Sequence, residues 1–514
     1  MKTKKEELNL FNLVWIGFTF IAGITFTASF ADILNTQNDS SVGYHIFWIF
    51  VLEGLIAFLC AWSFAKLVKI HPQANGGGSQ YARTAFGKFW GLIVGLLNYS
   101  VIPVIGIALM VTMIRANFDN LAGYNNGEWG QWGSFGGLYL DLISYGLYIF
   151  AASIILFGLK KYKIIATIIG YITWGITIIL IIFGLIVGFV QPLNEINNTG
   201  FVAQITDIRL GFNNFANTFI TCFFAFAGIE TFITTGKNIK NRRKNMPCAI
   251  IIIMILTTIF YILFTALVMF AVRQENWSSN PNTQIFSGYS SVWLQQFGSW
   301  LIIICTIFMR FNSSIQVTLF GGSTIEPLAS QKFLPEVLNK ENKENIPVAG
   351  IFVTIVAITI TFIMFVLVPG LIQGFTNRPS PFNYATLASV ASILLISIYF
   401  IIIIAALTHG FKKNMKVKLW EYIGWFLTLG FIVFILYMYL WGLISIFIDP
   451  YDANGMFDIQ SFIMAIFQII YISAILIAAI LSYFLYHKKC IKNLNDEQSK
   501  NYEQVLKLYT IIKE

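Results

Sequence analysis

Charge is what this chain has least of: Asp, Glu, Lys and Arg together make up 11% of its 514 residues. So little charge cannot cover the surface of a water-soluble domain of this length. Cysteine is equally sparse. Cys60, Cys222, Cys248, Cys305 and Cys490 are scattered with no metal-binding or disulfide spacing, so they read as packing residues. No GxxxxGK[ST] phosphate loop occurs and no polar segment is long enough to house an ATPase, so ATP hydrolysis is excluded as an energy source. The first apolar run follows "MKTKKEELNL" directly and lacks a small-residue cleavage site, and so reads as a retained span.

What fills the chain instead is apolar: 57% hydrophobic residues, 49 of them Phe, with a mean hydropathy of +0.72. The apolar residues fall into twelve runs, at 11–33, 44–68, 89–116, 140–158, 163–190, 213–235, 248–272, 292–320, 349–368, 383–408, 419–447 and 459–486. Roughly 20 residues of helix cross a hydrocarbon core of about 30 Å, and a lipid-facing backbone must satisfy its own hydrogen bonds. The expected architecture is therefore all-α and integral to the membrane, with twelve transmembrane helices.

Lys and Arg give the orientation. With alternating spans and an inner N-terminus, the inner segments hold 28 of the 33 basic residues. The outer loops hold Arg115, Arg209, Arg273 and Arg378, and Arg310 falls within a span. This is the positive-inside pattern, with both termini cytoplasmic in the plasma membrane. It accounts for the net charge of +9 without a nucleic-acid partner; the expected partner is the lipid bilayer.

The stretch "KLVKIHPQANGGGSQYARTAFGKFWG" (66–91) interrupts this pattern with a proline, consecutive glycines and polar residues, too long for a simple turn. Ala65, Pro72, Gly76, Gly77, Tyr81, Gly87, Gly91 and Gly95 stand in an order and on a side that closely resemble the second-to-third helix region of the amino acid, polyamine and organocation permeases. Two further segments extend the resemblance. In 223–250, Gly228, Glu230, Lys240, Asn241 and Pro247 match, whereas Lys237 and Asn238 replace two usual acids. In 312–340, Asn312, Ser313, Ala329, Leu334 and Pro335 match, whereas Gly322-Ser323 and Ser330-Gln331-Lys332 replace Ser-Arg and Arg-Asp-Gly. The departures remove charges that form the family's inner gate, and mark a divergent member.

A second signal is independent of the family. "FIAGITF" (20–26) and "FAGIETF" (226–232) are nearly the same words, placed in the first helices of two five-helix units of opposite orientation. Glycine-interrupted spans in matching positions of inverted halves point to a midplane site at two broken helices. The competing explanation is helix packing, the use expected of Gly91 with Gly95 and Gly184 with Gly188. The organisation is then a cytoplasmic segment 1–10, a first repeat 11–190, a second repeat 213–408, two further helices in 419–486 and a cytoplasmic tail 487–514, a leucine-transporter-like inverted 5+5 repeat plus two helices.

Free amides at one break favour a carboxylate, and free carbonyls at the other favour an ammonium group. The resemblance implies carboxylate contacts at Ala22, Gly23 and Ile24, shifted by one if Thr25 is an insertion, and ammonium contacts at the carbonyls of Phe224, Ala225 and Ala227. Gly228 stands at the break, Phe226 and Ile229 flank the side-chain pocket, and Pro72, Gly76, Gly77 and Tyr81 belong to the cytoplasmic gate loop.

Glu53, Glu230 and Arg310 are ionisable groups within spans, and so candidates for gating or coupling. Glu230 is foremost because it adjoins the break. Arg310 is expected in the inner half of its span, snorkelling or paired with an acid. Thr173 stands where some proton-coupled relatives carry a Lys. The expectation is a secondary transporter for amino acids, not an enzyme, without cofactor or metal. A proton gradient, a sodium gradient and substrate exchange all remain open as its drive. A polyamine carrier and a non-transporting amino acid sensor are the alternatives.

Overall fold

The computed structural model describes residues 9–23, 26–27, 30, 33, 42–71, 77–125, 128–156, 158–190, 210–232, 239–272, 284–342, 347–380, 382–451, 455 and 457–512. Among these, ten helices are long and apolar enough to cross a membrane. They lie on ten of the twelve expected runs. The remaining two runs, the first and the sixth, are the ones that carry the repeated words, and both are interrupted.

Helix α1 (Leu10–Ile21) starts at Asn9, whose side chain accepts the Asn12 amide at 2.9 Å, the usual N-terminal cap. It stops after three turns because Ala22 is extended (φ −82°, ψ 136°). α2 (Ile46–Ile70) follows, then the short α3 (Gly77–Phe86), α4 (Lys88–Met113), α5 (Gly136–Leu156) and α6 (Leu159–Val190). α7 (Phe212–Phe223) gives way to a 3-10 turn, Phe224–Phe226, and then a four-residue helix, Ile229–Phe232. α8 (Arg242–Ala271), α9 (Val292–Ser330), α10 (Val348–Thr376, with a π turn at Ile363–Leu367), α11 (Tyr384–Phe411) and α12 (Leu419–Ile448) are all continuous. α13 (Ile459–Leu481) runs on through a π turn, Ser482–His487, to Lys492, and α14 (Asp496–Leu508) closes the chain. The β-structure is slight: Tyr124–Asn125 pairs with Glu128–Trp129.

Depth in the bundle follows from which faces are apolar. α4 is buried on every side from Ser100 to Met113, as a helix apolar all round must be if it is not to face lipid. α2 lies along α8, and α4 is packed by α3, α9 and α11. α12 and α13 instead turn large apolar residues outward, among them Leu427, Tyr437, Ile470 and Ile477. With no water between helix and lipid, an exposed apolar face of this kind is the lipid-facing surface of a multi-pass membrane protein.

One end of the bundle, called here the basic end, gathers the Lys and Arg residues and carries α3. Gly77 opens this helix, Gly77–Ala82 are buried, and Gly87 (φ 104°) turns it into α4. At Gly91 a side chain would have its Cβ 2.9 Å from the Ser79 carbonyl, and the Ser79 hydroxyl donates to the Gly91 carbonyl at 2.7 Å. So Gly91 serves the close approach of α3 to α4. α14 docks on the same end: the Ile512 amide donates to the Ile70 carbonyl at 2.8 Å, and Tyr509 and Ser330 hydroxyls lie 2.8 Å apart. Lys66 and Glu421 form an ion pair at 2.9 Å that ties α2 to α12.

Candidate functional site

The two interrupted segments meet. At the first, the chain leaves α1 at Ala22 and Gly23. At the second, Ala227 is extended (φ −63°, ψ 144°) and Gly228 takes φ 124°, a conformation open to glycine and costly to other residues. A Cβ on Gly228 would come 2.6 Å from the Phe20 ring of α1, so the same glycine also permits the contact between the breaks. The Tyr261 hydroxyl, from α8, lies 2.8 Å from the Ile21 carbonyl and 2.7 Å from the Ala225 carbonyl. Its single proton serves whichever acceptor is nearer at the time, and the tyrosine thereby fastens the two breaks together.

Around this junction is a cavity of about 60 Å³. Thr19, Ala22 and Gly23 line it from α1 and its break, Phe224, Ala225 and Ala227 from the α7 break. Ile105 and Leu109 of α4, Tyr261 of α8, Met309, Arg310 and Ser313 of α9, and Tyr384 of α11 complete the wall. Backbone of both breaks, four hydroxyl-bearing side chains at Thr19, Tyr261, Ser313 and Tyr384, and one guanidinium therefore line a common space. A larger cavity, about 440 Å³, lies between α7, α11, α12 and α13, but it touches neither break.

The expected site residues divide accordingly. Ala22, Gly23, Phe224, Ala225 and Ala227 line the cavity; Ile24, Thr25, Pro72 and Gly76 lie outside the described residues. Phe226 and Ile229 are fully buried and not on the cavity wall: Phe226 packs edge-on to Tyr261, with ring centroids 5.3 Å apart. Thr173 is buried on α6, its hydroxyl donating back to the Ile169 carbonyl at 2.9 Å, and it is not on the cavity wall. Tyr261, Tyr384, Ile105, Leu109 and Met309 were not among the expected residues, because nothing in a span says which face of a helix turns inward.

The two intramembrane acids differ. Glu230 folds back on its own break: one oxygen accepts the Gly228 amide and the other the Tyr399 hydroxyl, both at 2.9 Å. Glu53, buried on α2, has no hydrogen-bond partner at either oxygen among the described residues. Arg310 departs from its expected place in the inner half of a span. It stands at mid-helix on the cavity wall, its guanidinium carbon 5.8 Å from the Tyr384 ring centroid. The reason is the length of α9, which runs unbroken to Ser330, ten residues beyond the apolar run that ended at 320.

Between cavity and basic end the path is filled by rings. Phe226 and Phe223 have centroids 6.2 Å apart, Phe223 and Tyr399 6.0 Å, Tyr399 and Phe64 5.8 Å, Phe64 and Tyr81 6.0 Å, and Tyr81 and His71 5.0 Å. At the end of this column His71, Thr84, His409 and Asn414 are joined in one chain of hydrogen bonds. The Leu67 carbonyl is 2.8 Å from His71 Nδ1, His71 Nε2 is 2.9 Å from the Thr84 hydroxyl, that hydroxyl is 3.1 Å from His409 Nε2, and His409 Nδ1 is 3.1 Å from Asn414 Nδ2. One direction of donation fits all four contacts: Asn414 to His409, His409 to Thr84, Thr84 to His71 and His71 to Leu67, with both histidines neutral. Burial holds His71 to that form, pushing its pKa down to about 3. Arg83 hydrogen-bonds the side-chain carbonyl of Gln331, which stands where the family resemblance places an Asp, so an uncharged acceptor takes the place of a carboxylate here.

The amino acid permease family model matches residues 8–475. The chain belongs to this family. Among curated proteins it is similar to the branched-chain amino acid permease BcaP of Lactococcus lactis, 24% identical over 62% of this chain and 68% of that one. It is likewise similar to the L-asparagine permease of Salmonella typhimurium, 22% identical over 72% and 71%. A third relative, the methylthioribose transporter of Bacillus subtilis, is 25% identical over 51% and 54%. Membership in a permease family makes this chain a transporter and not an enzyme.

Proposed function

We propose that this permease carries an amino acid across the plasma membrane by alternating access, bound as a zwitterion between the two breaks. Supporting this most strongly is the single cavity that both interrupted segments line, with Tyr261 tying them. Carboxylate oxygens would lie near Ala22, Gly23, Ile24 and Thr25, as the family resemblance implies. The ammonium group would take the carbonyls of Phe224, Ala225 and Ala227. Ala225 already accepts from Tyr261, but a carbonyl oxygen has a second lone pair to offer.

The finer architecture is a twelve-span, leucine-transporter-like inverted repeat, with the two interrupted runs as its first and sixth spans. The basic end is cytoplasmic, by the concentration of Lys and Arg, and both termini lie there. Exchange of access would open the ring column and α3 at that end while the site stays in place.

For the drive we assign a proton gradient, through Glu53. It can gain or lose a proton without surrendering a hydrogen bond, whereas Glu230 would have to release Gly228 and Tyr399. Glu230 holds the break instead. Proteoliposomes loaded and diluted to impose a proton gradient, a sodium gradient or internal unlabelled substrate, and offered a panel of labelled amino acids and polyamines, test both statements. Uptake of amino acids driven by the proton gradient, and its loss in Glu53→Gln with exchange retained, is the expected result. Flux driven by sodium alone would remove the role given to Glu53. Binding without flux under all three conditions would make the protein a sensor.

A further inference from the structure

One face of α8 carries hydroxyls every fourth residue, at Thr257, Tyr261 and Thr265, all fully buried. A threonine within a membrane helix ordinarily donates to the carbonyl four residues before it. Thr258, beside this row, donates to Met254 at 2.8 Å, and Thr112, Thr318, Thr354 and Thr428 do the same on other helices. Thr257 and Thr265 do not: neither hydroxyl has a partner among the described residues. Glu53 joins them from α2. Its neighbours on that helix fix its level, since Phe50 and Tyr261 have ring centroids 6.0 Å apart and Gly54 lies against the Thr258 side chain. Glu53 is therefore level with the stretch from Thr257 to Tyr261, fully buried, close enough for its charge to act on Tyr261, and unpartnered at both oxygens.

Unpartnered polar atoms gathered where two buried helices meet are what internal water satisfies, since a buried water needs two to four polar groups around it. Residues four apart on a helix face stand about 5–6 Å apart, a gap that one water closes with two ordinary hydrogen bonds. Thr257 and Thr265 are about 12 Å apart along the axis, so waters and Glu53 between them make a continuous row. α8 starts at the basic end with Arg242, which makes Thr265 the outer member and Thr257 the inner one. Resting on the proton drive assigned above to Glu53, we infer that Thr257 and Thr265 hold a string of water molecules along α8 that carries the driving proton, entering past Thr265, stopping on Glu53 and leaving past Thr257. At each hydroxyl or water the arriving proton is bound as the one already there is handed on, so Glu53 alone changes charge. Tyr261, within the row and on the cavity wall, is where this path meets the substrate site. The other titratable groups around this part of α2 are Cys60 on α2 itself and Tyr399 on α11, which is bound to Glu230.

Thr257→Val and Thr265→Val remove each hydroxyl and keep the branched side chain. In proteoliposomes, uptake driven by an imposed proton gradient should fall about tenfold in either variant, the equivalent of one ordinary hydrogen bond lost from the path, while exchange against internal unlabelled amino acid stays as in the unaltered protein. Thr257→Ser and Thr265→Ser, which keep the hydroxyl, should retain proton-driven uptake, and so should Thr258→Val. Melting temperatures should not fall in Thr257→Val or Thr265→Val, since no hydrogen bond within the protein is lost. Two positions give two separate trials should one variant fold poorly. Undiminished proton-driven uptake in both valine variants would overturn the inference, and so would equal loss of proton-driven uptake and exchange, which marks a packing role. Proton-driven uptake that survives Glu53→Gln, or flux driven by sodium alone, would remove the drive assigned to Glu53 and this inference with it.

Discussion

At the central cavity one hydroxyl, on Tyr261, reaches two backbone carbonyls, of Ile21 and Ala225, at the ends of interrupted helices, and Arg310, Ser313 and Tyr384 line the same space. At the basic end another hydroxyl, on Thr84, reaches two histidines whose remaining nitrogens are both engaged, by Leu67 and Asn414. The ingredients are alike: hydroxyls, ring systems and broken helix ends. What differs is where the hydrogen-bonding capacity points. In the cavity it faces space; at the basic end Thr84, the two histidines and Asn414 complete one another, while the side-chain amide of Gln80, buried on α3, has no partner among the described residues. Binding sites and seals can be told apart by this accounting, since buried polar groups are almost always satisfied by something.

The contrast is broken most severely at Gly228. An alanine there must hold φ near 124° and place its Cβ 2.6 Å from Phe20 in the present arrangement. The strain of that conformation, on the order of 1–2 kcal/mol before any clash, falls on the break itself. Uptake by Gly228→Ala is expected to drop below a hundredth of the unaltered rate at equal membrane abundance, measured in the same proteoliposomes. Retention of most activity would mean that the break is not part of the site.

The seal is sharpened by acid. His71 is buried neutral with its pKa lowered to about 3, against the ordinary 6.5 of the unfolded chain, through burial first and then the neighbouring His409 and Arg242. Below 6.5 the unfolded chain binds a proton that the folded chain refuses. The stability due to this group is therefore complete above about 6.5 and falls as the pH drops toward 3, by at most about 1.4 kcal/mol per unit. Between pH 7 and pH 5 the loss reaches about 2 kcal/mol at most. Melting temperatures of the detergent-purified protein at the two pH values should diverge more for the unaltered chain than for His71→Gln, and equal divergence would deny His71 that role.

The smallest of these effects belongs to Tyr261. Tyr261→Phe keeps the ring against Phe226 and removes the tie between the breaks, a loss of about 1 kcal/mol, typical of one hydrogen bond. A melting temperature a few degrees lower, with weaker substrate affinity, is expected. No change in affinity would show that the two breaks do not need fastening.

Much of the fold was legible because hydrocarbon imposes a strong rule. An apolar run must be a helix of about its own length, and ten of the twelve runs are continuous membrane helices within a few residues at most ends. The breaks were legible too, as nearly repeated words whose glycine sits at φ 124° in the second copy. The wall was not. Ile105 and Leu109 are unremarkable residues in a helix that is apolar all round, and only the packing of α4 against α9 and α11 decides which of them meet the cavity. Arg310 was visible as a charge but misplaced in depth, since polar residues from Gly321 to Ser330 continue α9 beyond its apolar run. Phe226 and Ile229, expected to flank the side-chain pocket, are buried and off the cavity wall, because a broken helix turns different side chains inward than a continuous one would.

If an amino acid sits in the cavity between the breaks, filling that cavity must expel it. Leu109 of α4 lies on the wall and is 4% exposed. The measurement is equilibrium binding of labelled amino acid to purified unaltered protein and to Leu109→Trp, beside Ile143→Trp on an outward face of α5, where Ile143 is 51% exposed. Leu109→Trp is expected to lose binding and Ile143→Trp to keep it, with all three proteins eluting as single species with comparable melting temperatures. Undiminished binding by Leu109→Trp would place the substrate elsewhere and contradict the account.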